Sequence, residues 1–399
     1  MRASAAIGQV RGFVVLPLIV AAVAAIPAGQ ARASATVRPP VGGAAPTAVL
    51  AGTGVLDDVV ATSARNAWAV GHFGPLSQPR TLIEHWNGKT WQRVRVAPAH
   101  GWLNGVAATS ARDVWVVGFS GSATLILHFN GISWRRMPIP PSSDGILADV
   151  TAVSPRDAWA VGDPGSSLIM HWNGKRWRRL ASPSPGRMLS FLTGVSALSA
   201  RNVWAVGGLG RTVTLHWNGT AWRRVASPSP ARGATLESVA AISARDVWAV
   251  GETAHGTLIL RWNGSRWQKV SSPAVAKGAG LLGVSGTSAR DVWAVGTTGG
   301  LFAVASAQAM SPRPARNAAG WAMPANAGTT GAVQKFEPVI LHWNGKSWRR
   351  VNMHSPAEGG QLIGDFALSG RTAWAVGCTK TFGNRNAKPL VVRLHGHTG

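Results

Sequence analysis

Five acidic residues fall in one region of an internal sequence repeat, and together they have the chemistry to hold a cation. They are Asp57, Asp58, Asp149, Glu237 and Asp365, drawn from only 15 acidic residues against 40 basic ones. Other repeats carry Gly, Ser or another small neutral residue there, so gathered carboxylates need a compensating positive group. That group could be Ca²⁺, a cationic or polyhydroxylated ligand, or a neighbouring arginine. We predict these five as ligand-binding residues, and Ca²⁺ is the only cofactor that they suggest.

Five histidines also recur at one repeat position, which at first suggests a metal site. Zinc ligands lie about 2 Å from a common ion, whereas these histidines belong to separate strands of successive repeats. We therefore assign them structural roles and predict no metal site. An arginine in a recurring S-A-R-D turn is present in every repeat, which favours turn capping and pairing between repeats. The histidines are His85, His128, His171, His216 and His342.

The sequence contains no recognisable catalytic motif. It has no G-x-S-x-G, H-E-x-x-H, P-loop or Rossmann pattern. Single acids could still act as a general acid and base, but nothing in the sequence pairs them. No catalytic residue is predicted.

These residues must be positioned by a repeat of about 45 residues, which we trace through the phrase W-A-V-G (once W-V-V-G). A second phrase, H-W-N-G-x-x-W with small variations, follows each of the first six copies, and a degraded version follows the seventh. Seven repeats are therefore present. The tryptophans of the first phrase, predicted to be structural, are Trp68, Trp115, Trp159, Trp204, Trp248, Trp293 and Trp374.

Each repeat contains four short strand signals separated by turns. In the fourth repeat the strands are predicted at 192–198, 203–206, 212–217 and 222–225, with Asn218-Gly219 in the last hairpin. Four antiparallel strands repeated seven times predict an all-β, seven-bladed β-propeller. A β-helix needs a shorter period, and the 48 Gly, 24 Pro and 20 Trp exclude helical solenoids. Trp86 and Trp91 are expected on one face of the first blade, where they would pack against the neighbouring blade.

The ends of the chain suggest how the ring closes. The seventh repeat stops near Gly396 without a fourth strand. We expect the N-terminal segment to supply that strand, with 47–50 as the donor.

Turn parity separates the two faces of the propeller. The short S-A-R-D and N-G turns share one face, and the longer, variable connections share the other, which is where function concentrates on a rigid scaffold. A long insertion in the sixth repeat, at about 298–337, belongs to the variable face and contains Trp321. Trp321 is the sixth predicted ligand-binding residue, although the insertion's Ala, Gly, Asn and Pro content also fits an idle loop.

The N-terminus predicts export. Arg2 and Arg11 precede an uncharged run, and Ala31-Arg32-Ala33 offers a cleavage site. An uncleaved membrane anchor is the alternative, which two prolines in the run disfavour. The predicted organisation is a signal peptide at 1–33, a linker or closing strand at 34–51 and the propeller at 52–399, secreted as a monomer without a transmembrane segment.

A large positive charge remains after export. Residues 1–33 hold three arginines and no acid, so 37 basic residues remain against 15 acidic ones. Such charge attracts anionic polymers without specificity, or it simply decorates a solvated surface. Arginine pairs on the outer strands form a predicted basic rim, namely Arg135-Arg136, Arg178-Arg179, Arg223-Arg224 and Arg349-Arg350.

The two repeated phrases resemble those of secreted actinobacterial propeller-repeat proteins, broadly similar to Kelch (galactose oxidase-like) and Asp-box propellers. The resemblance covers about residues 52–396 and implies a propeller fold. Gly88-Lys89-Thr90-Trp91 matches the second half of the Asp-box motif, but Trp86 stands where its aspartate should be, which argues against sialidase-like chemistry. The W-N-G-x-x-W hairpin is also similar to that of fucose-binding propeller lectins.

Three functions remain open at this point. The favoured one is a non-enzymatic scaffold that binds an extracellular glycan, a cell-wall polymer or a protein on its variable face. The second is a hydrolase or lyase of extracellular polysaccharide that uses the acidic residues. The third is a polyanion binder that uses the arginine rim.

Overall fold

The computed structural model describes residues 47–75, 77–97, 100–141, 143, 145–163, 167–183, 191–208, 210–230, 233–276, 278–298, 336–353, 356, 359–369, 372–379 and 386–395. The described residues form 28 β-strands, labelled β1–β28 in chain order, and no helix. They are arranged in seven four-stranded antiparallel sheets, the blades of a β-propeller. No helix among the described residues is long and apolar enough to cross a membrane. The predicted signal peptide at 1–33, Trp321 and most of the insertion lie outside the described residues.

The blades share one strand order from the central channel outward. The inner strands are β2 (Val55–Ser63), β6 (Trp102–Ser110), β10 (Ile146–Ser154), β14 (Leu192–Ser199), β18 (Thr235–Ser243), β22 (Gly280–Ser288) and β26 (Gly360–Ser369). The second strands are β3 (Asn66–Phe73), β7 (Asp113–Ser120), β11 (Asp157–Asp163), β15 (Asn202–Gly208), β19 (Asp246–Thr253), β23 (Asp291–Thr297) and β27 (Thr372–Thr379).

The third and outer strands complete each blade. The third strands are β4 (Arg80–Trp86), β8 (Ala123–Phe129), β12 (Leu168–Trp172), β16 (Thr212–Trp217), β20 (Gly256–Trp262), β24 (Pro338–Trp343) and β28 (Pro389–His395). The outer strands of blades 1–6 are β5 (Trp91–Arg93), β9 (Trp134–Arg136), β13 (Trp177–Leu180), β17 (Trp222–Arg224), β21 (Trp267–Lys269) and β25 (Trp348–Arg350). All four strands predicted for the fourth repeat are confirmed to within two residues.

The N-terminal segment closes the ring. Strand β1 (Thr47–Val49) pairs antiparallel with β28, with Thr47 opposite Val392 and Val49 opposite Leu390. The seventh blade therefore takes its outer strand from the other end of the chain, as the missing fourth strand signal predicted. This pairing ties the two ends of the propeller together.

Tryptophan side chains form the layer between blades, as predicted. Trp86 and Trp91 lie opposite each other across a four-residue hairpin, with ring centroids 5.7 Å apart. Between blades, Trp115 packs 5.1 Å from Trp172 and 5.3 Å, edge to face, from Trp177 of the next blade. The same triplet recurs around the ring, so most indoles are core.

The recurrent histidines belong to this core as well. His171 Nε2 donates to Asp157 Oδ1 at 2.8 Å, and its ring stacks on Trp159 at 4.0 Å. In the fifth blade Arg261 takes the histidine's place, pairs with Asp246 at 2.6 Å and lies over Trp248. Each of these side chains thus links the third strand of its blade to the first residue of the second strand. Within the described residues, no group of three or more His, Cys, Asp and Glu could hold a metal ion.

The uniform turns share one face of the propeller. The Asn218 side-chain oxygen accepts the backbone N–H groups of Thr220 and Ala221, and Gly219 has a φ of 95° that favours glycine. A Cβ at Gly219 would lie 2.9 Å from the stem of Arg201 in the S-A-R-D turn. The turn arginine therefore packs on the hairpin, and the opposite face is left to the variable connections.

Candidate functional site

The channel end on the variable face is where the blades differ from one another, and we call it the channel mouth. It comprises two residues from each blade. One follows the first leucine of the inner strand, and the other follows the glycine of the W-A-V-G phrase. The inner-strand set is Asp57, Asn104, Ala148, Thr193, Glu237, Leu282 and Ile363. The second-strand set is His72, Phe119, Asp163, Gly208, Glu252, Thr297 and Cys378.

A β-bulge in every inner strand builds this end of the channel. Leu56 lies opposite Gly71 and Asp58 opposite Val70, so Asp57 is the extra residue that the bulge accommodates. The glycine of the W-A-V-G phrase is required here, since a Cβ at Gly71 would lie 2.1 Å from the Val55 carbonyl oxygen. Close approach of the two backbones therefore explains the recurrent glycine.

Asp57 is fully buried and bonded on one oxygen. Its Oδ2 lies 2.8 Å from His72 Nδ1 and accepts the Trp102 indole N–H at 2.9 Å. Burial raises the pKa of Asp57, although His72 and Trp102 act in the opposite direction. The Asp57 carboxyl thus joins the first blade to the second.

Asp58 and Asp149 each reach the backbone of the following blade. Asp58 Oδ2 accepts the N–H of Val106, and Asp149 Oδ2 accepts the N–H of Val195 at 2.7 Å. Asp149 Oδ1 also accepts the N–H of Val150 at 2.7 Å. These carboxyl groups satisfy inner-strand amides that would otherwise be buried without a partner.

Electrostatics shows that three of the predicted acids lie near one another. Burial, followed by the charges of Asp149 and Asp57, raises the pKa of Asp58 well above its ordinary value, while the Val106 N–H opposes this. Burial raises the pKa of Asp149 to about 7, against the two backbone N–H groups. The structure therefore brings Asp57, Asp58 and Asp149 together at the channel wall.

Glu237 lies apart from those three, in the fifth blade. It is 1% exposed, and its Oε2 has no hydrogen-bond partner among the described residues. Burial and then the charge of Glu252 raise the pKa of Glu237 well above its ordinary value. The carboxyl groups of Glu237 and Glu252 thus lie near each other at one end of the β18–β19 hairpin.

An apolar cluster lies beside Asp57 at the channel mouth. Leu282, Ile363, Cys378, Val55 and Trp102 pack in one cluster with Ala387, and Phe119 lies against it. Burial, followed by the charge of Asp57, raises the pKa of the Cys378 thiol to about 12, so this thiol is protonated and weakly nucleophilic. Apolar side chains of blades 6, 7, 1 and 2, which we call the apolar sector, thus pack beside the Asp57–His72 pair, and Glu237 and Glu252 form an acidic sector in blade 5.

Two predicted site residues are left without side-chain detail. Asp365 lies in β26 opposite Ala375, and its side chain is outside the described part of the chain. Trp321 is likewise outside it. The base of the insertion is described, because Thr298 donates its N–H to the Glu337 carbonyl oxygen and accepts from Glu337 N–H, both at 2.9 Å. The insertion therefore leaves the variable face between β23 and β24.

Sequence reasoning missed His72, Trp102 and Glu252. A signal for two of them was available, since His72 and Glu252 directly follow the glycine of a W-A-V-G phrase and that position differs in every repeat. Trp102 precedes the leucine of its inner strand. The hydrogen bond from its indole to Asp57 of the preceding blade depends on how neighbouring blades pack in the ring.

The geometry defines the class to which this chain belongs, a seven-bladed β-propeller with WD40-like structural neighbours. No protein-family model matches the sequence, and no curated protein matches it.

Solved structures match almost the whole fold. The structure of "YCF48 bound to D1 peptide" superposes with a TM-score of 0.59 at 15% identity, covering 96% of this chain and 99% of that chain. YCF48 from Cyanidioschyzon merolae gives a TM-score of 0.56 at 17% identity over 88% of this chain and 98% of that one. U3-55K gives 0.56 at 12% identity over 87% of this chain and 98% of that one. At such identities the likeness shows the fold alone.

Proposed function

We propose that this chain is an exported, non-enzymatic binding scaffold that holds a protein or peptide partner at the channel mouth. The observation that carries the proposal is the division of the mouth into an apolar and an acidic sector. Seven equivalent backbone positions carry different side chains there, whereas the opposite face repeats the same turns. Different side chains at equivalent positions of the ring are expected where the ring binds a ligand that lacks its symmetry.

The chemistry of the two sectors specifies the partner. Leu282 and Ile363 supply apolar side chains, and Glu237 supplies a carboxyl oxygen, Oε2, that has no hydrogen-bond partner among the described residues. A peptide segment with an apolar side chain and a lysine or arginine would satisfy both. The proposal draws support from a propeller of the same fold that has been solved with a bound peptide.

The finer identity follows from the sequence resemblance. We assign the chain to the secreted actinobacterial propeller-repeat proteins, with Kelch-like and Asp-box-like hairpins, exported through residues 1–33 and acting as a monomer. The proposed binding role invokes no cofactor, and Ca²⁺ is an ion to be tested. Trp321 in the insertion would extend the peptide site.

A peptide array tests the proposal. Peptides that pair an apolar residue with Arg or Lys should bind, and matched peptides with Gln should not. The double variant E237Q/E252Q should weaken binding at least tenfold, whereas R112Q on the opposite face should leave it unchanged.

Two further measurements test the alternative functions. A glycan array would show binding of sugars instead of peptides if the ligand is a glycan or wall polysaccharide. Release of products from an oligosaccharide, abolished by D57N/D149N, would establish a hydrolase or lyase. Either result would overturn the peptide scaffold.

A further inference from the structure

The acidic side chains that the structure describes are turned inward, which leaves the described surface almost purely basic. Twelve of the 15 acidic residues have side chains whose burial the structure describes, and none of them is exposed. Asp113, Asp157, Asp246 and Asp291 pair with a histidine or arginine inside their own blade. Within the described part of the chain, the excess of basic side chains is therefore displayed at the surface without interspersed acids.

The exposed cations are densest along three consecutive blades. Each outer strand of blades 2, 3 and 4 continues from its buried or half-buried tryptophan into two exposed arginines. We call these six residues the arginine arc. They are Arg135, Arg136, Arg178, Arg179, Arg223 and Arg224.

Neighbouring exposed cations extend the arc toward the uniform turns. Arg112, Arg156 and Arg201 lie in the S-A-R-D turns of the same blades. Lys175 and Arg176 lie in the hairpin between β12 and β13 of blade 3. Eleven cations thus follow one stretch of the circumference. The pattern weakens on either side, because β5 and β21 begin with Gln92 and Gln268 after the tryptophan.

The first blade shows how a cation of this kind is neutralised when it has a partner. Arg93 Nε lies 2.8 Å from Glu84 Oε1, and Glu84 is buried. The residue opposite Arg136 is Leu127. The third strand of blade 2 therefore places no carboxylate directly across from Arg136.

We propose that the arginine arc binds a phosphodiester polymer along its backbone. Guanidinium groups match phosphate oxygens in a bidentate arrangement, and a row of them spans several phosphates of one chain. The only large hydrophobic side chains that are exposed among the described residues are Val49 and Ile132. Ile132 in the blade 2 hairpin is a single such side chain beside the arc, which is too little apolar surface to favour insertion into a bilayer.

The side chains on this surface also predict how the polymer is recognised. No described Phe or Trp side chain is exposed, so the arc lacks an exposed indole or phenyl ring on which bases could stack. Recognition then rests on charge and is independent of base sequence. A nucleic acid and a polyol phosphate share this backbone chemistry.

Fluorescence anisotropy with two probes tests the proposal. The probes are a labelled 24-base-pair DNA duplex and labelled poly(glycerol phosphate), titrated with full-length protein between 50 and 200 mM salt. With about six phosphate contacts, the plot of log affinity against log salt should have a slope of about −5. Binding of one probe alone identifies the source of the polymer, and binding of neither at 50 mM salt overturns the proposal.

Two variants with equal charge loss locate the site. Replacing the six arginines of the arc by glutamine should lower affinity at least tenfold and flatten the salt slope by about 0.9 per lost contact. The control replaces six exposed cations elsewhere by glutamine, namely Lys89, Arg95, Arg211, Arg266, Lys269 and Lys346. Equal losses in both variants would show that only net charge matters, which would refute the arc.

Edge protection is the competing role for these arginines. Charged side chains on an outer strand also prevent sheets from joining edge to edge. If that were their only role, the arc variant would self-associate in light scattering and the wild-type protein would not bind the probes. The peptide site at the channel mouth is unaffected by either result, since it uses other residues.

Discussion

Asp58, Asp149 and Ser238 occupy the same repeat position in blades 1, 3 and 5, and each accepts an N–H from the next blade. Glycine holds that position in the blades between them. A Cβ at Gly105 would lie 2.9 Å from the Asp149 Cα, and one at Gly194 would lie 3.0 Å from the Ser238 Cα. The alternation of a hydrogen-bonding residue with glycine lets inner strands approach closely and still satisfy their amides.

The Asp149 side chain should make stability depend on pH. Its pKa is about 7 in the folded protein, against an ordinary value of 3.8. Between about pH 4 and pH 7 the folded state keeps a proton that the unfolded state has lost, so stability falls as pH rises through this window. The free energy of unfolding, measured by denaturant titration at pH 5, 6, 7 and 8, should decline less steeply for D149N than for wild type.

Ser238 provides the matched control for this experiment. Its hydroxyl makes the equivalent bond to Val284 N–H at 3.3 Å and does not titrate. S238A should lower stability by about 1 kcal/mol at every pH. Some slope should persist in D149N, because the pKa values of Asp58 and Glu237 are raised in the same direction. Parallel curves for D149N and wild type would contradict the assignment.

At the scale of single elements, the inner hairpin depends on the glycine of the W-A-V-G phrase. A Cβ at Gly162 would lie 2.0 Å from the Ile146 carbonyl oxygen, which leaves no room without separating two paired strands. We expect G162A to lose at least about 3 kcal/mol of stability or to fail to fold. G121A is the control, because its Cβ would contact nothing within 4 Å. It should cost about 1 kcal/mol for its φ of 61°, and similar melting temperatures for both variants would refute the steric argument.

Strand β1 is the element that converts an open array into a ring. Deletion of residues 34–50 should lower the melting temperature by several degrees, since β28 loses its partner and keeps an unpaired edge. Deletion of residues 34–44 stops before β1 and should leave the melting temperature unchanged. Differential scanning calorimetry of both truncations decides whether closure depends on β1.

At the scale of the whole molecule, stability is shared between neighbouring blades. Trp159 is 1% exposed, stacks on His171 at 4.0 Å and contacts Trp217 and Trp222 of the next blade at 5.1 and 5.5 Å. A single blade cannot bury these rings alone, so the blades should unfold together.

The replacement W159A should lower the free energy of unfolding by about 3–5 kcal/mol. Tryptophan fluorescence and far-UV circular dichroism should still report one coincident transition. Ile132, which is 89% exposed, supplies a control whose replacement by alanine should change stability by about 0.5 kcal/mol or less. Two separate transitions in W159A would mean that the blades unfold independently.

The sequence alone determined the number of blades, the four strands in each, the tryptophan layer and the closing strand. These features follow from a 45-residue period, the alternation of side chains along strands, and turn residues such as Asn218 and Gly219. These features are encoded by local sequence patterns that recur in the repeats, so each repeat supports the same assignment of strands and turns.

Only the tertiary structure decided what the acidic side chains contact. Position in the repeat indicated that Asp57, Asp58, Asp149 and Glu237 begin inner strands, but it could not show that Asp58 and Asp149 bond to the backbone of the next blade. Nor could it show that Glu237 lies near Glu252, or that its Oε2 has no hydrogen-bond partner among the described residues. These contacts depend on the bulge in each inner strand and on the distance between blades, which ring closure and packing set.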